Sequence, residues 1–416
     1  MAEYEIFLYV FLACFALNFL IERVLSILNS RYVAARRGAI PAELKDVVNA
    51  ETYERSIDYA LARARFGHVS AIFNAALTLG YLLSLYIPIL YNVISTGVED
   101  ELWQGVWLLF AFSLVNAILH MPFSLYSTFA IESRFGFNKT SFGTFVLDRF
   151  KGLILSIVLG IPFLYALMAL VLRSGPLWWL WSALFVIGFQ FLLMFLFPVL
   201  IAPFFNKFTP LQEGDLKRQL EALAQKCGFA TRGIFVVDGS KRSAHSNAYF
   251  TGLGKARRIV IFDTLMDQLT PAELTAVLAH EIGHFKKKHI VKSLLITCAM
   301  TLLGFFILGW VIEWGPLYQA FPLATPLPAK GLLAFMLILP SFTFWVEPFM
   351  SLLSRKHEYE ADAYAREHVG SPEPLAGALL KLFEKNLSTL TPHPAFSAWH
   401  YSHPTLLERL RALRGK

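Results

Sequence analysis

Seven runs of apolar residues, near 5–28, 69–94, 103–131, 152–172, 177–201, 290–313 and 331–350, dominate this 416-residue chain. Each is long enough for an α-helix to cross roughly 30 Å of hydrocarbon, which takes about 20 residues. Lipid offers no hydrogen bonds, so each run is expected to satisfy its own backbone as one helix. Hydrophobic residues make up 56% of the chain and charged residues 16%, with a mean hydropathy of +0.52. That balance excludes a disordered chain and an ordinary soluble one. The net charge of +7 raises the question of nucleic acid. In a chain of this kind, however, Lys and Arg mark the loops held in the cytoplasm. The lipid bilayer is the expected partner and nucleic acid is not.

The loops alternate in charge. Arg31, Arg36, Arg37, Lys45, Arg55, Arg63 and Arg65 follow the first run, whereas Ser95 to Glu101 carries no basic residue. Arg134, Lys139, Arg149 and Lys151 stand in the third loop and Arg173 alone in the fourth. The stretch 202–289 is rich in Lys and Arg, 314–330 has only Lys330, and the tail is basic again from Arg355. This alternation predicts an N-terminus outside and both large polar regions in the cytoplasm. The chain then divides into 1–201 with five spans, 202–289, 290–350 with two spans, and the tail 351–416. The first run lacks a basic start and a clear small-residue cleavage site, and reads as a retained span. Cys14, Cys227 and Cys298 form no CxxC pair, so neither a disulfide framework nor a cysteine-rich metal site follows.

Within 202–289 the pattern is that of a small α+β unit. An amphipathic helix is predicted from Asp215 to Cys227, ended by Gly228. Ile234–Val237 and Arg258–Phe262 read as strands, Asn247 to Phe250 as an edge strand, with turns around Gly239 and Gly252–Gly254. Thr270, Pro271 and Glu273 have the form of a capping box, starting a helix that runs to His289 and into the sixth span. Lys286, Lys287 and Lys288 then serve as headgroup anchors. In the tail, Pro372, Pro374, Pro392, Pro394 and Pro404 divide a series of helices. His120, Asn116, Glu22, Arg23 and Glu347 lie within spans, where they are costly in lipid and should face protein or water.

The predicted helix carries His280-Glu281-Ile282-Gly283-His284, an H-E-x-x-H. Imidazoles four residues apart lie one turn above each other, close enough to share one zinc ion at about 2.0–2.1 Å. Glu281 is offset round the helix and suits a general base acting on water at the ion. A catalytic zinc takes three protein ligands, and a carboxylate completes one known set. Arg355-Lys356-His357-Glu358-Tyr359-Glu360-Ala361-Asp362 supplies the candidates just after the seventh span. Glu358 and Asp362 share a helix face, so one can bind metal while the other orients a ligand histidine. Spacing alone leaves Glu358 and Glu360 as alternatives.

Several blocks carry a resemblance: Arg242 to Phe250, Arg258 to Leu265, His280 to His284, Glu358 to Asp362, and His400-Tyr401-Ser402-His403-Pro404 through Glu408-Arg409-Leu410. In these, over nearly the whole chain, the sequence resembles the CAAX prenyl protease type 1 family, the Ste24 endopeptidases, which are gluzincin-type membrane proteases. A metal motif between the fifth and sixth spans matches that family's arrangement. The resemblance implies seven membrane helices around a large water-filled chamber, joined to a small α+β cytoplasmic catalytic region. It implies that His280, His284 and Glu358 bind one zinc, with Glu281 as base and proton shuttle and Asp362 as partner of a ligand histidine. It further implies that Asn247 and Arg409 serve substrate binding and that His403 stabilises the oxyanion. The implied activity is a zinc metalloendopeptidase that removes the last three residues of prenylated CAAX peptides. A quality-control protease with no prenyl requirement, and a zinc-binding seven-helix receptor or transporter, are the alternatives. A bacterial inner membrane is the expected location, with the endoplasmic reticulum membrane as the other address.

Overall fold

The computed structural model describes residues 1–251 and 258–415; the turn expected at Gly252–Gly254 lies outside them. Among the described residues, seven helices are long and apolar enough to cross a membrane: Glu3–Ala34, Ala50–Leu83, Glu101–Glu132, Phe142–Arg173, Gly175–Phe205, His289–Val311 and Pro328–Val369. The α-helical polytopic architecture is therefore as expected, although its elements are longer than hydrophobicity alone defines. The second begins at Ala50, where the Asn49 side chain caps the helix by accepting from the Glu51 N–H at 2.8 Å. The basic stretch holding Arg55, Arg63 and Arg65, read above as loop, is thus helical. The same helix stops at Leu83, and Tyr86–Ser95 is a separate short helix. Pro88 explains the break, because its ring would collide with the carbonyl of Ser84 in a continuous helix.

The spans pack around Phe11, Leu82, Ile87, Val106, Leu108, Met168, Leu308 and Leu333. With lipid as apolar as Leu, close packing holds such helices together, and small residues permit it. Gly105 is one of them: a Cβ there would lie 2.6 Å from Met168 Cε and 3.2 Å from Ala329 Cβ.

Outside the spans, strands β1 (Phe208–Pro210), β2 (Ile234–Val237), β3 (Ala248–Thr251) and β4 (Arg258–Phe262) form a sheet in the order β1-β2-β4-β3. The β2–β4 pair is parallel and the others antiparallel. β3 is an edge among the described residues, but it starts at Ala248, one residue after Asn247. The three-residue β1 has no counterpart in the sequence reading; it is too short for alternation to register. The helix Asp215–Lys226 ends at Gly228, whose φ of +56° is left-handed. It packs with the sheet through Leu220, Leu223, Ile234, Ile259 and Ile261, and Leu274, Leu278 and Ile282 of the motif helix join the same core. The tail helices Glu373–Asn386, Pro394–His400 and Leu406–Arg414 are divided at the prolines.

The motif helix, Pro271–Lys286, has the predicted capping box: Thr270 N–H donates to Glu273 Oε2 at 2.7 Å and Glu273 N–H to Thr270 Oγ1 at 3.4 Å. It does not run straight into the sixth span. Lys288 adopts φ +58°, and the chain restarts as a helix at His289. Positions five apart on one helix lie about 140° round from each other. The hinge overrides this and brings His289 Nδ1 to 3.0 Å from His284 Nδ1.

Candidate metal centre

The motif helix packs on Glu347–Val369, the helix that completes the seventh span. A Cβ on Gly283 would lie 3.1 Å from Ala361 Cα and 3.2 Å from Ala361 O, so the two backbones approach more closely than a side chain at 283 would comfortably allow. Glu358, three residues before Ala361, is thereby turned toward His280 and His284. His280 Nε2 lies 3.1 Å from His284 Nε2 and 3.5 Å from Glu358 Oε2, and His284 Nε2 lies 3.2 Å from Glu358 Oε1. Glu360, the alternative carboxylate, points elsewhere, to His289 Nε2 at 2.9 Å.

These separations test whether a metal fits. A tetrahedral ion with bonds of about 2.0–2.1 Å holds its ligands about 3.3 Å apart, which is the spacing found. His280 Nδ1 stands 2.8 Å from Asp362 Oδ1. The carboxylate can only accept, so the proton sits on Nδ1 and the Nε2 lone pair faces inward. Glu358 Oε2 is buried without a hydrogen-bond partner among the described residues. Burial opposes charge on His284, yet the adjoining Glu358 outweighs it and raises the His284 pKa. A field that favours a proton there equally favours a cation. The donor set fits a divalent metal.

Glu281 is not in the triad. It borders a small pocket with Ala248, Tyr249 and Phe250 of β3, and burial raises its pKa. Arg409, grouped above with the substrate-binding residues, is turned onto Asp362, donating from Nε at 2.8 Å and Nη2 at 2.6 Å, with Nη1 3.4 Å from Glu358 Oε2. Burial disfavours its charge, but the Asp362 hydrogen bonds hold its pKa above the ordinary value. His403 Nε2 lies 3.4 Å from Glu358 Oε1, and its ring is 62% exposed toward a polar cavity that Arg63, His245, His400 and Arg409 also line. Arg355 holds the preceding helix in place, donating from Nη1 to the carbonyls of Ser397, Ala398 and Tyr401 at 2.7–3.2 Å.

Comparison with known proteins gives the family of the chain. Residues 29–207 match the family model for the CAAX prenyl protease N-terminal region of five membrane helices, and residues 210–416 match peptidase family M48. The chain belongs to the M48 peptidase family. It is 38% identical to CAAX prenyl protease 1 of Saccharomyces cerevisiae, covering 90% of this chain and 88% of that one. It is 33% identical to the CAAX prenyl protease 1 homolog of Homo sapiens, with coverage of 90% and 88%. The crystal structure of S. mikatae Ste24p is similar at a TM-score of 0.90 and 35% identity, covering 99% of each chain. This M48 chain is thus a multi-pass membrane metalloendopeptidase.

Two features of this M48 site were not legible in the sequence. His289 is buried beside His284, and its ring stacks on His357 at 4.0 Å. The sequence places His289 at the junction of the motif helix and the sixth span and offers Glu360 as a second carboxylate, but only the hinge at Lys288 brings His289 against His284. Asn247 is exposed. Its Oδ1 accepts from the Ala248 N–H at 2.9 Å and its carbonyl from the Phe262 N–H at 3.0 Å, which sets the start of β3.

Proposed function

We propose that this chain is a zinc-dependent protease that removes the C-terminal tripeptide from prenylated CAAX peptides. One observation carries the reading: His280, His284 and Glu358 converge at tetrahedral spacing beside the half-buried Glu281. The names of the relatives support the substrate class. Those three side chains would hold zinc, which when bound would supply Lewis acidity and lower the pKa of water toward about 7. Glu281 takes a proton from the attacking water and delivers it to the departing amine. The amide C–N bond breaks and the water oxygen stays on the carbonyl carbon.

The open edge of β3 offers N–H and C=O groups to an extended peptide, with Asn247 at its start. His403, exposed beside Glu358, donates to the carbonyl oxygen as it gains charge. Arg409 acts through Asp362, which keeps His280 in its inward-facing tautomer. Loop charges support an outside N-terminus and cytoplasmic catalytic regions. A bacterial inner membrane is the proposed location, with the endoplasmic reticulum membrane as the alternative.

The test is zinc content and cleavage of a farnesylated reporter by purified protein, with and without chelator. The expected result is one zinc per chain, chelator-sensitive cleavage, and a farnesylated peptide cut faster than its unprenylated copy. Equal rates on both peptides would favour the quality-control alternative. A Glu281→Gln variant should keep its metal while kcat falls by about 10²-fold or more; full activity in that variant removes the mechanism.

A further inference from the structure

A half-open cavity of about 1380 Å³ lies between the membrane helices, lined by residues of five spans, among them Phe112, Phe163, Thr301, Gly304 and Met336. It exceeds the roughly 300–1,000 Å³ of an ordinary ligand pocket and is predominantly apolar. Two helices measure its distance from the metal centre. Met350 on its rim precedes Glu358 by eight residues, about 12 Å of helix, and Ile296 follows His289 by seven, about 10 Å. Glu347 lines this cavity, and its Oε1 lies 3.0 Å from Nδ1 of His400, which lines the polar cavity containing His403. The two compartments therefore meet at one hydrogen-bonded pair.

We infer that the intramembrane cavity receives the isoprenoid chain while the polar cavity holds the peptide. The proposal rests on the prenyl reading above. Removal of a CAAX tripeptide breaks the bond next to the lipidated cysteine, so the chain starts within one residue of the metal. A chain of about 15 carbons reaches on the order of 15 Å, past both rulers and into the cavity. An apolar chamber at bilayer depth is as favourable to that chain as lipid, so the peptide enters the polar site without drawing its lipid into water.

Gly304 supplies the test, because no atom of the described residues lies within 4 Å of a Cβ placed there. Gly304→Trp sets its Cβ in open space and projects an indole from the lining of the cavity. Gly188→Trp, equally open but off the lining, is the control. The expected result is a fall of at least about tenfold in the kcat/KM ratio of farnesylated to unprenylated peptide for Gly304→Trp only. A photoreactive isoprenoid peptide on wild-type protein should label cavity residues. An unchanged ratio in Gly304→Trp, an equal fall in both variants, or labelling outside the cavity overturns the assignment. A wild-type enzyme with no prenyl preference instead overturns the reading beneath it.

A different observation carries a second inference. Glu360 Oε2 lies 2.9 Å from His289 Nε2, and His289 Nδ1 lies 3.0 Å from His284 Nδ1. The carboxylate accepts from His289 Nε2–H, leaving His289 Nδ1 to accept from His284 Nδ1–H and the His284 Nε2 lone pair to face the triad. The structure assigns His289 and Glu360 as positioning residues for His284, as Asp362 is for His280. His289→Phe should lower zinc affinity by about 10–100-fold in a chelator competition. His289→Gln, which can still accept from one partner and donate to the other, should recover most of it. Equal losses in the two variants, or none in Phe, would show that the ring only fills space.

Discussion

At the residue scale, the metal site depends on a side chain that is missing. Gly283 lets the motif helix lie against the backbone at Ala361, so even Gly283→Ala must separate the helices, at about 1–3 kcal/mol. The expected outcome is a lower Tm with weakened metal retention, read by thermal unfolding and zinc analysis. Ala361→Gly should not rescue it, because the collision is with Ala361 backbone atoms; a rescue would disprove the account. The same contact shows why part of the site was legible and part was not. His280 and His284 share a helix face by periodicity alone, whichever way the helix packs. Glu358 and Glu360 lie on nearly opposite faces of another helix, and which of them meets the histidines depends on the packing face. Gly283 opposite Ala361 sets that face, and such a pairing lies across elements nearly eighty positions apart, where spacing carries no information.

The elements themselves divide in the same way. The motif helix started where Thr270 and Glu273 said it would, because a capping box is local chemistry. The second span broke at Pro88 for an equally local reason, whereas nothing near Lys288 marked the hinge. The cap also yields a pH dependence. Burial alone would raise the Glu273 pKa, but the Lys381 ammonium at 2.7 Å and the Thr270 N–H and hydroxyl outweigh it and hold it below the ordinary value. A carboxylate depressed in the folded state stabilises above its unfolded pKa of about 4.3, and this is lost as pH falls through the folded value. Glu273→Gln should therefore lower Tm near pH 7, by a gap that narrows below about pH 4 in the metal-free protein. A gap independent of pH would mean that shape, not charge, supports the helix start.

At the scale of the whole molecule, the catalytic region must be held in register with the bilayer, since its candidate metal ligands adjoin two spans. Hydrophobicity made the seven helices legible, but the joints between membrane and catalytic regions are polar and long-range. Arg242 is the most connected of them. Its guanidinium donates to Asp148 from Nε at 2.8 Å and Nη2 at 2.9 Å, to Asn206 Oδ1 at 2.5 Å and to the Phe205 carbonyl at 2.9 Å. Asp148 belongs to the fourth span, Phe205 ends the fifth, and Arg242 leads into β3. The Arg242 carbonyl also accepts from the Lys139 N–H at 3.1 Å, tying in the third loop. Asp148→Ala leaves a half-buried guanidinium without its carboxylate, a loss of about 1–3 kcal/mol for a charge-assisted pair. Because the metal ligands are all on other elements, zinc content should hold while Tm and kcat/KM fall together. Exchanging the two, Asp148→Arg with Arg242→Asp, should restore part of both if pairing across the joint is what matters. If the double variant is no better than Asp148→Ala, the joint depends on the Asn206 and Phe205 bonds that only an arginine at 242 can make.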